Sequence, residues 1–302
     1  MQQKITPNLW FDGNAGEAAE FYCSVFPDSE VVSTEYYPTS AEEGLADFQK
    51  DMAGKVLTTT FRLGGFEYVA INAGPEFKPT PAHSCMVNFD PSRDAQAREH
   101  MDEMWARLID GGTALMPLQK YDFSEYYGWV QDRYGFSWQL ILTRPEGEER
   151  PFIIPSLLFG GAAQNRALEA IEYYVDVCNE AKKGVVVPYH QDTGPARAGR
   201  SVLFSDFMLE NQWFTAMDSG ADQDFTFTEA VSYSIACKDQ AEIDYFWEKL
   251  SKHPENEQCG WCKDQFGVSW QIVPANMGEL MQKPDAYKTM MAQKKIVIAE
   301  YK

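Results

Sequence analysis

The 302-residue chain is short of positive charge: 26 lysines and arginines stand against 45 aspartates and glutamates, a formal balance of −19 at pH 7. Such a surface repels phosphate backbones and anionic headgroups, so neither nucleic acid nor a membrane surface is expected as a partner. Long apolar runs are missing too. No segment approaches the roughly 20 apolar residues of a membrane span, and the opening Met1-Gln2-Gln3-Lys4-Ile5-Thr6-Pro7 has no signal-peptide core, which leaves a cytoplasmic address by default. Cysteine is sparse. Cys23, Cys85, Cys178, Cys237, Cys259 and Cys262 suit buried thiols in a reducing compartment better than a disulfide framework.

What is present is a repeat. Trp129-Val130-Gln131-Asp132-Arg133-Tyr134-Gly135-Phe136-Ser137-Trp138-Gln139-Leu140 recurs from Trp261 to Ile272, matching at Trp, Asp, Gly, Ser, Trp and Gln. A period of this length means whole domains rather than solenoid units, and 44% hydrophobic residues are ample for two cores. Local signals agree. Ile5 to Phe11 reads as a strand ended by Asp12-Gly13-Asn14, Ala15 to Phe26 as a helix, and Ser29 to Tyr37 as a strand. Lys55 to Leu63 and Phe66 to Asn72 are expected to form a hairpin across Gly64-Gly65, with residues 41–54 as a loop or short surface helix. The order returns with a strand at Ala82 to Phe89, a helix at Asp94 to Ile109, and strands at Thr113 to Leu118, Tyr126 to Val130 and Ser137 to Leu142. Residues 1–144 therefore read as two βαβββ modules forming one domain.

The charged, proline-flanked stretch 145–151 reads as a linker, and residues 152–302 as a second domain that restates the first. From Leu250 to Trp261 the second copy is shorter than the matching stretch from Leu108 to Trp129, so it lacks most of a strand and loop. A C-terminal helix-strand tail, which includes Lys294-Lys295-Ile296-Val297-Ile298, is expected after the second domain's last strand.

Ile5-Thr6-Pro7-x-Leu9-Trp10-Phe11-Asp12-Gly13, Met116-Pro117-Leu118, Phe123-Ser124-x-x-Tyr127-Gly128-Trp129-Val130 and Asp132-x-Tyr134-Gly135-x-Ser137-Trp138-Gln139 together resemble the PhnB-like family, often labelled 3-demethylubiquinone-9 3-methyltransferase. That family belongs to the vicinal oxygen chelate superfamily, with glyoxalase I, extradiol dioxygenases and bleomycin or fosfomycin resistance proteins. The resemblance covers both halves. It implies an α+β fold of two tandem vicinal oxygen chelate domains, each a pair of βαβββ modules whose curved mixed sheet forms a cup. A methyltransferase would need a glycine-rich turn between strand and helix for its cofactor, and Gly160-Gly161 reads instead as a plain turn.

Where the superfamily's metal enzymes carry ligands, the resemblance points to His83 and Gln139, with Asn8 and Asn72 as the loosest analogues of the other two positions. One imidazole and three neutral amides are a poor set for a divalent transition metal. No cofactor is therefore expected. The alternative is a divalent metal on His83, Gln139 and water in a lyase, isomerase or thiol transferase. The dense aromatics of the first half suggest a flat apolar pocket for a small aromatic or amphipathic molecule, formed by Asn8, Trp10, His83, Phe123, Tyr127, Trp129, Ser137 and Gln139. No catalytic residue is assigned: Ser137 and Ser269 lack a visible His and Asp set. Cys259-Gly260-Trp261-Cys262 aligns with strand positions Tyr127 and Val130, so it reads as core cysteines rather than a redox motif. Because single-domain relatives build pockets by pairing, the fused chain implies a monomer with internal domain pairing, or a homodimer.

Overall fold

The computed structural model describes residues 3–144 and 149–302, so part of the 145–151 linker lies outside the described residues. Four βαβββ-like modules follow one another. The first holds β1 (Ile5–Phe11), α1 (Ala15–Val25), β2 (Glu30–Tyr36), β3 (Val56–Leu63) and β4 (Phe66–Asn72). In the second come β5 (His83–Phe89), α2 (Ala97–Leu108), β6 (Thr113–Tyr121), β7 (Ser124–Gln131) and β8 (Ser137–Leu142). The third is β9 (Ile153–Phe159), α3 (Ala167–Val177), β10 (Lys182–Pro188), β11 (Val202–Leu209) and β12 (Gln212–Asp218). The fourth is β13 (Val231–Cys237), α4 (Gln240–Leu250), β14 (Trp261–Lys263) and β15 (Ser269–Pro274), before a tail with α5 (Met277–Leu280) and α6 (Ala286–Ala292). No helix among the described residues is long and apolar enough to cross a membrane.

The sheets join these modules in an order that the repeat boundaries do not follow. One mixed sheet runs β14-β15-β13-β1-β4-β3-β2, the other β10-β11-β12-β9-β5-β8-β7-β6. The free edge of β1 is taken antiparallel by β13, with Asn8 opposite Ser232, and that of β5 by β9, with Ser84 opposite Ser156. Compact unit 1 is accordingly Met1–Cys23, Ser29–Lys78 and Thr228–Lys302, and unit 2 is Ser24–Asp28 with Pro79–Phe227. The expected domains 1–144 and 152–302 are thus repeats in sequence and not units in space, because each module's first strand bonds to a module of the other repeat.

Within each unit the helices cover one sheet face and leave the other as the candidate cup. In unit 1, α1 buries Ala18, Ala19 and Tyr22, and the Tyr22 ring stacks on Phe61 at 5.9 Å. In unit 2, α2 buries Met101, Met104 and Leu108, while Trp138 on β8 meets Phe26 at 4.6 Å. The Gly64–Gly65 turn adopts positive φ at both residues (54° and 81°), the conformation a tight hairpin needs. Glu210 and Asn211 take the same turn at 49° and 62° without glycine. The loop at 41–54 contains a 3-10 turn, Asp47–Met52.

The shortened fourth module has no counterpart of β6. Its outer edge is met by the tail: Cys259 N–H donates to Gln293 O at 2.8 Å and Gly260 N–H to Lys294 O at 2.7 Å. The expected tail strand does not form. The Gln293 side chain folds back on Val297 N–H at 3.1 Å, and a 3-10 turn, Ile298–Glu300, follows. The tail also packs α6 beside Tyr37 and Leu45, with Tyr287 Oη donating to Gln49 at 3.2 Å.

A chain ending at residue 144 would contain β1 and β5 but neither β13 nor β9. It is expected to associate into a homodimer that supplies the missing edges, measurable by light scattering; a folded monomer would contradict the pairing.

Candidate functional site

The repeated motif separates into a structural part and a site part. Asp132 is buried, and its Oδ1 accepts from Tyr134 N–H at 2.8 Å and Phe136 N–H at 3.2 Å, while Oδ2 accepts from Trp138 Nε1 at 2.9 Å. Asp264 repeats the arrangement with Phe266, Val268 and Trp270 Nε1 at 2.9, 3.0 and 2.8 Å. Asp, Gly and the second Trp therefore hold the β7–β8 and β14–β15 turns against the helices. The glutamine one residue further points the other way, since successive strand side chains alternate faces.

In unit 2 that face carries Gln139, Ser137, Tyr127 and Trp129, together with Ser84 and Ser156 from paired positions. Gln139 is buried and its amide is fully engaged: Nε2 donates to Ser84 Oγ at 2.8 Å and Ser156 Oγ at 3.3 Å, and Tyr127 Oη donates to Oε1 at 2.7 Å. Burial pushes the Tyr127 phenol far above its ordinary range, which keeps it a donor. Met86, Ile154 and Trp213 are buried on the same face, with Ile141, Phe204 and Met208 packed on them. Ser137 Oγ, Trp129 Nε1 and Thr215 Oγ1 are buried with no hydrogen-bond partner among the described residues. This face is largely filled by its own side chains. Phe123 stands at the β6–β7 hairpin, 58% exposed, stacked on Tyr121 and edge-on to Tyr127 at 5.1 Å.

His83 does not join this group. It sits next to Ser84, so its ring lies on the opposite, helix-covered face, buried at 4.9 Å from the Phe227 ring. His83 and Gln139, the ligand pair of the alternative metal reading, therefore lie on opposite faces of the sheet. What remains around Gln139 is an amide and hydroxyls with no carboxylate, imidazole or thiolate, a donor set that does not fit a divalent transition metal. No group of three or more His, Cys, Asp or Glu residues with metal-holding geometry stands among the described residues.

Asn8 and Trp10 belong to unit 1, apart from the other predicted pocket residues. Register places them on one face with Ser232, Ser269, Gln271 and Trp261. Three strand spacings separate β1 from β14, about 14 Å in a flat sheet. Yet the Trp10 and Trp261 rings meet edge to face at 6.0 Å, their side chains leaning toward one another across this face. Trp10 Nε1 is held by Gly74 O at 2.7 Å, and Phe77 packs edge-on to Trp10 at 5.0 Å. Gln271 donates to Ser232 Oγ at 2.9 Å, and Asn8 Nδ2 donates to Thr6 O at 2.8 Å. Among the described residues neither Gln271 Oε1 nor Asn8 Oδ1 has a protein partner. Trp10, Trp261, Gln271, Val69 and Ile71 are all half-buried. Lys263, on the same face, is neutralised by Glu229. This amide-and-hydroxyl set does not fit a metal either.

Asn72 is not part of the cup. Its Oδ1 accepts from Ala15 N–H at 2.9 Å and its Nδ2 donates to Val56 O at 3.0 Å, so it anchors the start of α1. Asp218 does the same for α3 through Ala167 N–H at 3.2 Å. Trp261 and Gln271 were missing from the predicted pocket although the repeat aligns them with Trp129 and Gln139. Cys262 faces the helix side opposite Trp270, whereas Cys259 precedes the strand in a left-handed conformation, φ 52°. The two do not make a helix-opening redox pair. In unit 2 a cleft of about 920 Å³ contains Arg93, Arg107, Arg150 and Asp206 but none of the predicted pocket residues. Its charges are largely self-paired, as in Arg150 to Asp206 at 2.8 Å.

Burial pushes the His83 imidazole down from 6.5 to about 3. Its neutral form is the folded one, so the unfolded chain takes up a proton first as pH falls below 6.5, and stability drops from there toward about pH 3. A His83→Leu variant should lack this component, worth about 2 kcal/mol between about pH 7 and pH 5. Denaturant melts of both proteins across that window test it; parallel curves would contradict it.

The 3-demethylubiquinone-9 3-methyltransferase family model matches residues 3–141 and again 151–273. A Bacillus cereus structure described as a putative 3-demethylubiquinone-9 3-methyltransferase, PhnB protein, is 39% identical over 47% of this chain and 100% of its own, with a TM-score of 0.39. A Staphylococcus aureus protein is 29% identical over 48% of this chain and 100% of its own, with a TM-score of 0.19. Glyoxalase I from Zea mays is 10% identical over 90% of this chain and 94% of its own, at a TM-score of 0.53, which shows a common fold. No curated protein matches the chain. With both repeats matched, the chain belongs to the 3-demethylubiquinone-9 3-methyltransferase, or PhnB-like, family in a tandem form with the glyoxalase I fold.

Proposed function

We propose that the protein binds a small aromatic or amphipathic molecule in the unit 1 cup, without a metal. The observation that carries this reading is the contact of the Trp10 and Trp261 indoles, at 6.0 Å, on the same half-exposed face as Gln271 and Asn8. Indole faces supply flat apolar contact area, while Gln271 Oε1 and Asn8 Oδ1 are acceptors that would orient a ligand N–H or O–H. Unit 2 supports the reading by contrast: its Gln139 amide is occupied by Tyr127, Ser84 and Ser156. Donor sets without carboxylate or imidazole weigh against the metal-dependent lyase or transferase alternative.

A thermal-shift screen of small aromatics, aromatic amines and amphipathic antibiotics tests the reading. A ligand at about 100 times its dissociation constant should stabilise the protein by about 2.7 kcal/mol. Trp10→Ala and Gln271→Leu should weaken that ligand by about tenfold or more, since each removes a direct contact. Gln139→Leu should instead destabilise the fold by about 1–3 kcal/mol, by stranding buried Tyr127 and Ser84 hydroxyls, and leave ligand affinity unchanged. No shift from any compound, or loss of binding only in the Gln139 variant, would contradict the assignment.

A further inference from the structure

The tail of unit 1 brings sulfur together. Cys259 Sγ lies 3.6 Å from Met291 Sδ, and Met52, Met281, Met290 and Met291 all pack on the cluster of Tyr37, Leu45 and Tyr287. We infer that Cys259 and Met291, with a further methionine of that cluster, form a binding site for a soft monovalent cation of the Cu(I) type.

Geometry and chemistry both favour it. Two sulfurs held about 2.3 Å from one ion, at trigonal or tetrahedral angles, stand about 3.7–4.0 Å apart. The observed 3.6 Å is a thiol-to-thioether contact, so an ion between the two sulfurs would need to part them by only a few tenths of an ångström. A thiolate with thioethers is the donor set that selects Cu(I), whereas the harder divalent ions want imidazole or carboxylate, which this cluster lacks. The backbone is fixed around the pair. Gln258 Nε2 donates to Met291 O at 2.7 Å and lies 3.4 Å from Cys259 Sγ, while Cys259 N–H is tied to Gln293 O at 2.8 Å. A second observation points to the same place: the Tyr301 hydroxyl is buried with no protein partner among the described residues. It lies near enough to Cys259 to feel that sulfur's charge. Binding would release the Cys259 proton to solvent and change no oxidation state.

The full chain is titrated anaerobically with Cu(I) against the chromophoric chelator bicinchoninate. One equivalent should be withheld from the chelator, with a thiolate-to-copper charge-transfer band in the near ultraviolet. Cys259→Ser and Met291→Leu should each weaken retention by about tenfold or more, and Cys178→Ser, in unit 2, should not. Met291→Leu keeps apolar volume, so it reads the site even where the serine variant is unstable. No retained equivalent, or retention unchanged in both Cys259→Ser and Met291→Leu, would overturn the inference.

Discussion

Every other feature of this molecule depends on the unpaired first edge of each βαβββ module. A strand that shows open N–H and C=O groups must find another strand. Here β1 takes β13 and β5 takes β9. The consequence is chemical as well as architectural, because each concave face is then assembled from both repeats. Gln139 finds Ser156, and Gln271 shares its face with Asn8 and Trp10. Duplication in one chain supplies two different faces, which are free to diverge.

The divergence has a small cause. Matching positions carry Gln139 and Gln271, Ser84 and Ser232, Ser156 and Asn8, and Leu158 and Trp10. In unit 2 the Tyr127 hydroxyl closes on Gln139 Oε1. The repeat places Cys259 at the corresponding position of unit 1, on backbone turned to φ 52° and tied to the tail. Among the described residues no phenol reaches Gln271, and its carbonyl stays available. Loss of the strand between α4 and β14 belongs to the same change, since the tail that meets the exposed edge also carries Met291 to Cys259.

Much of this architecture was legible in the sequence. Alternating strand residues and helix-spaced alanines marked α1 from Ala15 to one residue past its observed end, and Gly64-Gly65 marked its hairpin. The partner of each first strand was not legible, because the edges of β1 and β5 look alike to any local pattern and only tertiary packing distinguishes them. That one ambiguity scattered the predicted pocket: Asn8 and Trp10 went to unit 1, while Tyr127, Trp129, Ser137 and Gln139 stayed in unit 2. His83 failed for a different reason. Its neighbour Ser84 faces the cup, and strand parity alone puts the imidazole on the other side. Asn72 was misread because a side chain that anchors a helix start looks, in sequence, like any polar residue at a strand end.

The proposed ligand rests against the Trp10 and Trp261 indoles in the unit 1 cup. Indole N–H resonances from ¹⁵N-labelled protein, assigned by Trp→Phe variants, report on each tryptophan separately. Titration with a compound that stabilises the protein should move the Trp10 and Trp261 signals and leave those of Trp129 and Trp138 in place. Movement of Trp129 with Trp10 and Trp261 unchanged would put the ligand in unit 2 and contradict the account.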